Sequence, residues 1–228
     1  MRITTTDDLT IEQRELLDAH LQLVLRENEK LNLTRITDWE QGQLLHVEDS
    51  IAAAEIIGNA PEGPLADMGS GAGFPGMPLA IMTGRETWLI ESIAKKAHSL
   101  ATMANELNLN DQVHVYTGRV EEASIDMPAK FSVVTARALA PLPALVELSS
   151  PLLKIGGLLV CYKAKPEADE IEYAKATAVK AGMKYVDEIR YMLSDNETSR
   201  SIFIYKREEE SAVKLPRRIG MAQKRPIK

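Results

Sequence analysis

The sequence contains a single cysteine, Cys161, and no long apolar run. One thiol excludes an intrachain disulfide framework and a zinc cluster built from cysteines, and it is typical of a reducing compartment. No segment approaches the roughly 20 apolar residues of a membrane-spanning helix, and no apolar segment with basic flanks opens the chain. The four histidines offer no spaced third ligand for a metal. These absences predict a cytoplasmic protein that binds neither a membrane nor a metal.

The charge of the chain is unevenly distributed. Its 228 residues suit one large domain, or one domain with an appendage, and a content of 45% hydrophobic and 26% charged residues is an ordinary globular balance. The formal charge of −6 argues against a nucleic-acid partner, because phosphates bind Lys and Arg. However, residues 214–228 carry six cations and no acid, which leaves −12 on residues 1–213, from 21 basic and 33 acidic side chains. The distribution therefore allows nucleic-acid binding at local basic sites on an acidic body.

The two ends of the chain differ in pattern from its middle. Residues 1–60 predict a helical N-terminal extension, with helices over 8–31 and about 40–57. Glycines and prolines at 58–64 mark the boundary between this extension and the middle part. Residues 209–228 are predicted to form a charged, basic C-terminal tail.

Residues 61–208 alternate short strands with helices, such as the helix predicted over 142–153. Strands separated by helices of this length form parallel βαβ units with both faces of the sheet covered. The turn-prone Ser194-Asp195-Asn196 joins the last two strands as an antiparallel hairpin. The predicted fold class is therefore α/β, an open, mostly parallel Rossmann-like sheet with helices on both faces and an antiparallel C-terminal hairpin.

One glycine-rich segment, Asp67-Met68-Gly69-Ser70-Gly71-Ala72-Gly73-Phe74-Pro75-Gly76, follows the first predicted strand and leads into a helix. Glycines there let the backbone turn sharply and approach a ligand without a Cβ in the way. In an open parallel sheet, ligands bind beyond the carboxyl ends of the strands, where this loop is expected. The pattern predicts a cofactor loop, and a merely flexible connection is the alternative.

Two cofactor classes compete for this loop. Gly71-x-Gly73-x-x-Gly76 formally satisfies the dinucleotide pattern, and Glu91 ends the second strand as a ribose-binding acid should. An acid at Asp67 followed by glycines at every second position is instead the form seen in S-adenosylmethionine-dependent methyltransferases. Pro75 and Pro78 disfavour a pyrophosphate at the helix N-terminus, because proline offers no N–H. Adenosylmethionine has no phosphate, so the loop favours this cofactor.

Further motifs follow in order along the chain. They are Leu31-Asn32-Leu33-Thr34, His46-x-x-Asp49-Ser50, the glycine loop, Glu91-Ser92 before Lys95-Lys96, Gly118-Arg119-Val120-Glu121 and Ala136-Arg137-Ala138. With these motifs the sequence resembles the glucose-inhibited division protein B family, whose members are small-subunit ribosomal RNA (guanine-N7) methyltransferases. The resemblance runs from about residue 31 to 206. It implies a methyltransferase domain over 61–208 that methylates N7 of a guanine in 16S ribosomal RNA with S-adenosylmethionine as cofactor.

The resemblance also implies a set of cofactor-binding residues. Gly69, Phe74, Val120, Glu121 and Arg137 match cofactor contacts of the family, and the loop pattern adds Asp67, Gly71, Gly73 and Glu91. The chain departs from the family at two positions. Ala164 stands after Lys163 where members commonly have glycine, and Ala222 replaces a frequent proline in the tail.

The implied reaction needs few catalytic groups. N7 of guanine bears a lone pair and no proton, so its methylation requires positioning and electrostatic tuning but no general base. After the fourth predicted strand stands Thr135-Ala136-Arg137-Ala138, and not the Asn/Asp-Pro-Pro-Tyr/Phe stretch of exocyclic-amine methyltransferases. Cys161 lies within an apolar run and is predicted to be a buried, inert thiol.

Three residues are candidates for positioning roles. Arg137 could bind the cofactor carboxylate or the RNA, and His46 and Asp49, three apart on one helix face, could help close the site. A surface salt bridge at Arg137 and a His–Asp bond that ties the helix to the sheet are the alternatives. The candidate RNA-binding residues are Asn32, Thr34, Lys95, Lys163, Arg217, Arg218, Lys224 and Arg225.

Two other functions stay open on the sequence. The dinucleotide pattern allows an NAD-dependent oxidoreductase, and a chain that has lost turnover would be a non-catalytic ribosomal RNA-binding or assembly factor. For the methyltransferase, the expected partner is small-subunit ribosomal RNA, a ribosomal subunit or an assembly intermediate, and the expected oligomeric state is a monomer.

Overall fold

A computed structural model describes residues 2–227 of the chain. Its core is one seven-stranded sheet with the strand order β3-β2-β1-β4-β5-β7-β6. Strands β1 to β5 are parallel to their neighbours within that group, whereas β7 is antiparallel to both β5 and β6. The predicted fold class is confirmed. The strands are β1 (Leu65–Met68), β2 (Thr87–Glu91), β3 (Val113–Thr117), β4 (Phe131–Arg137), β5 (Leu153–Lys163), β6 (Met183–Met192) and β7 (Ser199–Arg207).

Helices connect the strands and extend the chain at both ends. None of them, within residues 2–227, is long and apolar enough to span a membrane. The helices are α1 (Ile11–Leu31), α2 (Trp39–Gly42), α3 (Asp49–Ile51), α4 (Ala54–Gly58), α5 (Gly76–Thr83), α6 (Ala94–Glu106), α7 (Val120–Asp126), α8 (Leu142–Ser149), α9 (Ala168–Lys180) and α10 (Met221–Lys224).

The sheet is covered on both faces because successive side chains of a strand point to opposite sides. Ala66 and Met68 of β1 belong to an apolar cluster with Leu145 of α8. Leu65 of the same strand packs with Leu79 of α5 in a separate cluster. Burial on both faces explains why these strands are apolar at nearly every position.

The N-terminal extension contains an interruption that the sequence pattern does not reveal. The prediction of one helix over 40–57 is wrong, because α2 passes into a π-helical segment, Gln43–Glu48, before α3 and α4. A π-turn adds a residue to the helical turn and shifts the direction of the side chains that follow, and such turns are frequent at functional sites. Here the segment carries His46.

The predicted helix over 142–153 is shorter than expected. Helix α8 ends at Ser149, and β5 begins at Leu153. Pro151 separates the two elements, because proline provides no N–H to continue the helix after Ser150.

The C-terminal tail folds back on the body of the protein. The Arg217 guanidinium binds both carboxylate oxygens of Glu147 at 2.7 Å. The backbone N–H of Ile227 donates to the same carboxylate at 2.9 Å, and the Ile227 carbonyl accepts from Thr177 Oγ1 at 2.8 Å. Glu147 is only 2% exposed. The tail is thus held at two points by one buried acid.

This arrangement gives Arg217, a candidate RNA-binding residue, a structural partner, and its contact with RNA stays a prediction. Its guanidinium is engaged by a buried carboxylate, because an acid removed from water requires a paired cation. The other tail candidates, Arg218, Lys224 and Arg225, are exposed, and their contact with RNA stays a prediction. Lys228, the last cation of the tail, lies outside the described residues.

We expect the substitution Arg217→Ala to lower the free energy of unfolding by about 2–3 kcal/mol, because Glu147 stays buried without its cation. The control is Arg218→Ala, which removes the same side chain at an exposed neighbouring position and should change stability by less than about 0.5 kcal/mol. Urea unfolding followed by circular dichroism measures both. Equal losses in the two variants would contradict the role assigned to Arg217.

Candidate active site

A cavity of about 620 Å³ opens beyond the carboxyl ends of the parallel strands. Strands β1 and β4 are neighbours there, and the chain proceeds from them toward opposite edges of the sheet, so the cavity lies at the topological switch point where such folds bind ligands. Its walls come from the segment after α1, the π-helical segment, the glycine loop, the ends of β4 and β5, and Arg200 on β7. Elements distant in sequence therefore build one site.

The glycine loop turns through conformations that suit glycine. Gly69 has φ +72° and Gly73 has φ +93°, values that residues with a Cβ rarely adopt. A Cβ at Gly69 would approach Leu139 Cδ1 to 2.7 Å, and one at Gly73 would approach His20 Nε2 to 2.9 Å. The loop is therefore packed tightly from both sides, which makes it a defined binding surface and not a flexible connection.

Asp67, at the end of β1, fixes the glycine loop by hydrogen bonds to β4 and to the start of α5. Its Oδ1 accepts from Thr135 Oγ1 at 2.8 Å, and its Oδ2 accepts from the Gly76 N–H at 3.3 Å. The side chain is buried, and this burial raises the pKa of Asp67 to about 6. The Asp67 carboxylate therefore accepts the first N–H of α5, which a pyrophosphate would need as a donor. This geometry disfavours a dinucleotide.

Glu91 ends β2 beside the loop. Its Oε2 accepts from the Gly71 N–H at 3.0 Å, and its Oε1 accepts from the Ile93 N–H at 2.8 Å. An ionised carboxylate offers about four acceptor positions, and two are used here. The carboxylate is thus fixed in place with capacity left for a pair of hydroxyl groups.

A second, narrow slot of about 30 Å³ lies on the other side of Gly69. Val120 and Glu121, predicted as cofactor contacts, both line it, together with apolar side chains such as Leu139. Gly69 borders both the slot and the large cavity. Glu91 binds Gly71, which lines the large cavity, and its neighbours Ile90 and Ser92 line the slot. Charged groups in the cavity, the Glu91 carboxylate and a slot that must widen to admit a base match the amino acid, ribose and adenine of adenosylmethionine.

Arg137, His46 and Asp49 meet at the wall of the large cavity. Arg137 Nη1 donates to Asp49 Oδ2 at 2.9 Å and to the carbonyl oxygen of Leu45 at 3.0 Å. Arg137 Nη2 donates to His46 Nδ1 at 3.2 Å. The imidazole of His46 stacks on Phe74, with ring centroids 4.6 Å apart and ring planes 12° apart. The structure joins the three positioning candidates in one hydrogen-bond network, in which Arg137 contacts both His46 and Asp49.

His46 is a neutral, doubly engaged imidazole. Because arginine can only donate, Nδ1 must accept from Arg137, so Nε2 carries the hydrogen and donates to Thr34 Oγ1 at 2.9 Å. Burial and the charge of Arg137 lower the pKa of His46 to about 3. His46 is therefore suited to position groups and is not available to take up a proton near neutral pH.

The C-terminal hairpin contributes residues that sequence reasoning missed. Tyr191 donates from its hydroxyl to Asp49 Oδ1 at 2.8 Å, and Arg200 Nε lies 3.5 Å from the same oxygen. Tyr162 of β5 donates to the carbonyl oxygen of Ser50 at 2.7 Å. No sequence signal links these positions, because more than 100 residues separate the partners in each pair.

The candidate RNA-binding residues are spread over three regions. Thr34 and Lys163 line the large cavity, and Lys163 also pairs with Glu170 at 2.8 Å. Asn32 is the left-handed C-cap of α1, and Lys95 is exposed near the start of α6. Within residues 2–227, no cluster of histidine, cysteine and acidic side chains could hold a metal ion.

Comparison with known proteins was made at the level of sequence and of structure. Residues 13–202 match the model of the GidB family, described as rRNA small subunit methyltransferase G. The chain is 38% identical to the ribosomal RNA small subunit methyltransferase G of Streptococcus sanguinis, over 96% of this chain and 94% of that protein. It is also 38% identical to the protein of the same name from Streptococcus pneumoniae R6, over 96% and 93% of the two chains.

Two solved methyltransferase structures share this fold. An O-methyltransferase from Bacillus cereus, solved in complex with S-adenosylhomocysteine, superposes with a TM-score of 0.58 at 18% identity, over 82% of this chain and 90% of the other. TYW2 from M. jannaschii, solved in complex with adenosylmethionine, superposes with a TM-score of 0.53 at 18% identity, over 70% of this chain and 76% of the other. The family match agrees with the site geometry in favouring adenosylmethionine over a nicotinamide cofactor. The chain therefore belongs to the rRNA small subunit methyltransferase G family and is an S-adenosylmethionine-dependent methyltransferase.

Proposed function

We propose that the protein transfers the methyl group of S-adenosylmethionine to N7 of a guanine in 16S ribosomal RNA, without a general base. The observation that carries this proposal is the state of the titratable side chains at the large cavity. His46 donates to Thr34 and accepts from Arg137, and Asp49 is occupied by Arg137 and Tyr191. An exocyclic amine must lose a proton when it is methylated, whereas N7 already presents a lone pair. N7 is therefore the guanine atom that this cavity suits best.

The cofactor is proposed to lie across Gly69. Glu91 would bind the ribose hydroxyls with its remaining acceptor positions, and Val120 and Glu121 would border the base in the narrow slot. Asp67 acts indirectly, because both of its oxygens hold the loop and α5. When bound, the cofactor supplies a methyl group activated by the adjacent sulfonium. The chain itself contributes alignment of the two reactants and exclusion of water.

The guanine is proposed to enter the large cavity as an unstacked base. The cavity volume of about 620 Å³ is within the range of small-molecule sites. Proteins that act on single bases of RNA present aromatic or guanidinium planes to them, and Phe74 with His46 and Arg137 offers both kinds of surface. Lys163 and Arg200 at the rim supply positive charge for the RNA backbone. The proposal places the reaction in the cytoplasm, on small-subunit RNA or its assembly intermediates.

The atom that receives the methyl group can be tested by atomic substitution. Small subunits are reconstituted with RNA transcribed with 7-deazaguanosine triphosphate, in which carbon replaces N7. We expect no labelled methyl group on this RNA, because the nucleophilic lone pair is gone. Subunits that contain 7-deazaadenosine are the control and should accept the label as unmodified ones do. Methylation of the 7-deazaguanosine RNA would contradict the assignment to N7.

The role of Arg137 can be separated from cofactor binding. The substitution Arg137→Lys keeps the charge but cannot bridge His46, Asp49 and Leu45, so the helical wall of the cavity loses its alignment. We expect kcat for RNA methylation to fall by about 10–100-fold, the range of rate losses caused by small misplacements. The Kd for S-adenosylhomocysteine, measured by calorimetry, should change less than about threefold. A parallel loss of affinity would instead make Arg137 a cofactor ligand.

The pH dependence distinguishes positioning from base catalysis. With a pKa of about 3, His46 is neutral at all pH values near neutrality, and Asp67, with a pKa of about 6, is ionised above pH 7. We expect the single-turnover rate at saturating cofactor to be constant from about pH 7 to 8.5. Below about pH 6, protonation of Asp67 should weaken its bond to the Gly76 N–H and lower cofactor affinity. A one-proton rise of the rate between pH 7 and 8.5 would contradict the mechanism without a base.

A further inference from the structure

The end of the chain reaches the narrow slot beside Gly69. Gln223 on α10 lines this slot together with Val120 and Glu121, although about 100 residues separate it from them. The other lining residues come from strand ends and the helices next to them. A segment that reads as a solvated basic tail in the sequence is therefore part of the wall of a site in the body of the protein.

Two hydrogen bonds connect this segment to the slot. The backbone N–H of Gly220, which precedes α10, donates to Glu121 Oε1 at 2.7 Å. Arg119 Nη2 donates to Gln223 Oε1 at 3.2 Å. Because arginine only donates, the oxygen of the Gln223 amide must face Arg119, and its NH₂ group is directed elsewhere. Among the described residues, no acceptor is found for that NH₂ group within hydrogen-bond distance.

The segment is held firmly enough to serve as a wall. Arg217 and the Ile227 N–H, at its two ends, bind the same buried carboxylate of Glu147. Between them, Ala222 is 3% exposed and belongs to the apolar cluster beneath α8 and α9. We name residues 217–227 the C-terminal clasp, since both ends close on one acid and its middle packs on the core.

We propose that the C-terminal clasp forms one wall of the adenine end of the cofactor site, and that Gln223 is a further cofactor-binding residue that contacts the adenine ring. The proposal rests on the cofactor placement given above. A buried purine requires donors for its ring nitrogens, and the NH₂ group of Gln223 is such a donor at the slot. Ligand sites enclose most of their ligand's surface. The strand ends cover only part of the slot, and the C-terminal clasp covers the side where Gln223 lies.

The size of the slot indicates that Gln223 moves when the base enters. Its volume of about 30 Å³ is enough for little more than a water molecule. Four of its lining side chains, Ile90, Val120, Glu121 and Leu148, are buried, whereas Gln223 is half-buried and lies on a helix of one turn. A turn of this side chain opens the slot and leaves the amide against the entering ring. Substitution at this position should therefore change affinity without changing the fold.

Calorimetry with S-adenosylhomocysteine tests the proposal on the full-length protein. We expect Gln223→Ala to raise the Kd by about 5–20-fold, because the ring loses one hydrogen bond and one wall. The matched control is Met221→Ala, on the same helix at an exposed position that does not line the slot, and it should change the Kd less than twofold. The melting temperature of each variant shows whether the clasp is still folded. An unchanged Kd, or a tighter one, in Gln223→Ala overturns the proposal.

Limited proteolysis provides a second measurement that does not depend on activity. If the clasp binds the cofactor, the cofactor must stabilise the docked clasp by the same free energy. Trypsin cleavage after the exposed Arg218 and Lys224 should therefore slow several-fold with S-adenosylhomocysteine in the natural protein, and much less in Gln223→Ala. Equal protection of both proteins overturns the proposal. Failure of the natural protein to bind S-adenosylhomocysteine would instead overturn the cofactor placement itself, so the two failures are distinguishable.

Discussion

The guanidinium of Arg137 connects the two halves of the active site. It projects from the end of β4, is only 14% exposed, and donates to Asp49, His46 and the carbonyl oxygen of Leu45. A cation in this position is stable only while those acceptors surround it. All three acceptors belong to the N-terminal extension, so this cation ties the extension to the end of β4, beside the bonds from Tyr162, Tyr191 and Arg200. The large cavity is the space that is left between them.

Buried acids serve the rest of the site in a similar way. Asp67 fixes the start of α5, Glu91 fixes the glycine loop, and Glu147 fixes the C-terminal clasp, each through backbone N–H groups. Loops that bind ligands lack the regular hydrogen bonds of helices and strands, so they require other acceptors. The acidic character of the body thus has a structural component.

Elements that depend on residues close together in the sequence were predicted correctly. The glycine loop lies between β1 and α5 as its spacing indicates, and the hairpin of β6 and β7 turns near Ser194. The prediction of a single helix over 40–57 was wrong. The π-helical segment leaves the apolar periodicity nearly unchanged, so the sequence pattern does not reveal it. The ion pair of Arg217 was not predicted, because its partner Glu147 lies 70 residues away in an unrelated helix. Long-range ion pairs have no signature in the spacing of residues.

The sequence by itself determined the fold class, the cofactor loop and the family, since these depend on periodicity and on ordered short motifs. Only the tertiary structure decided that His46 is a neutral imidazole between Arg137 and Thr34, that Asp49 is shared with the C-terminal hairpin, and that the basic tail is a clasp beside the narrow slot. The reason is physical. Protonation, burial and pairing depend on which distant groups are brought within a few ångströms, and that is settled by packing of the elements and not by their order in the chain.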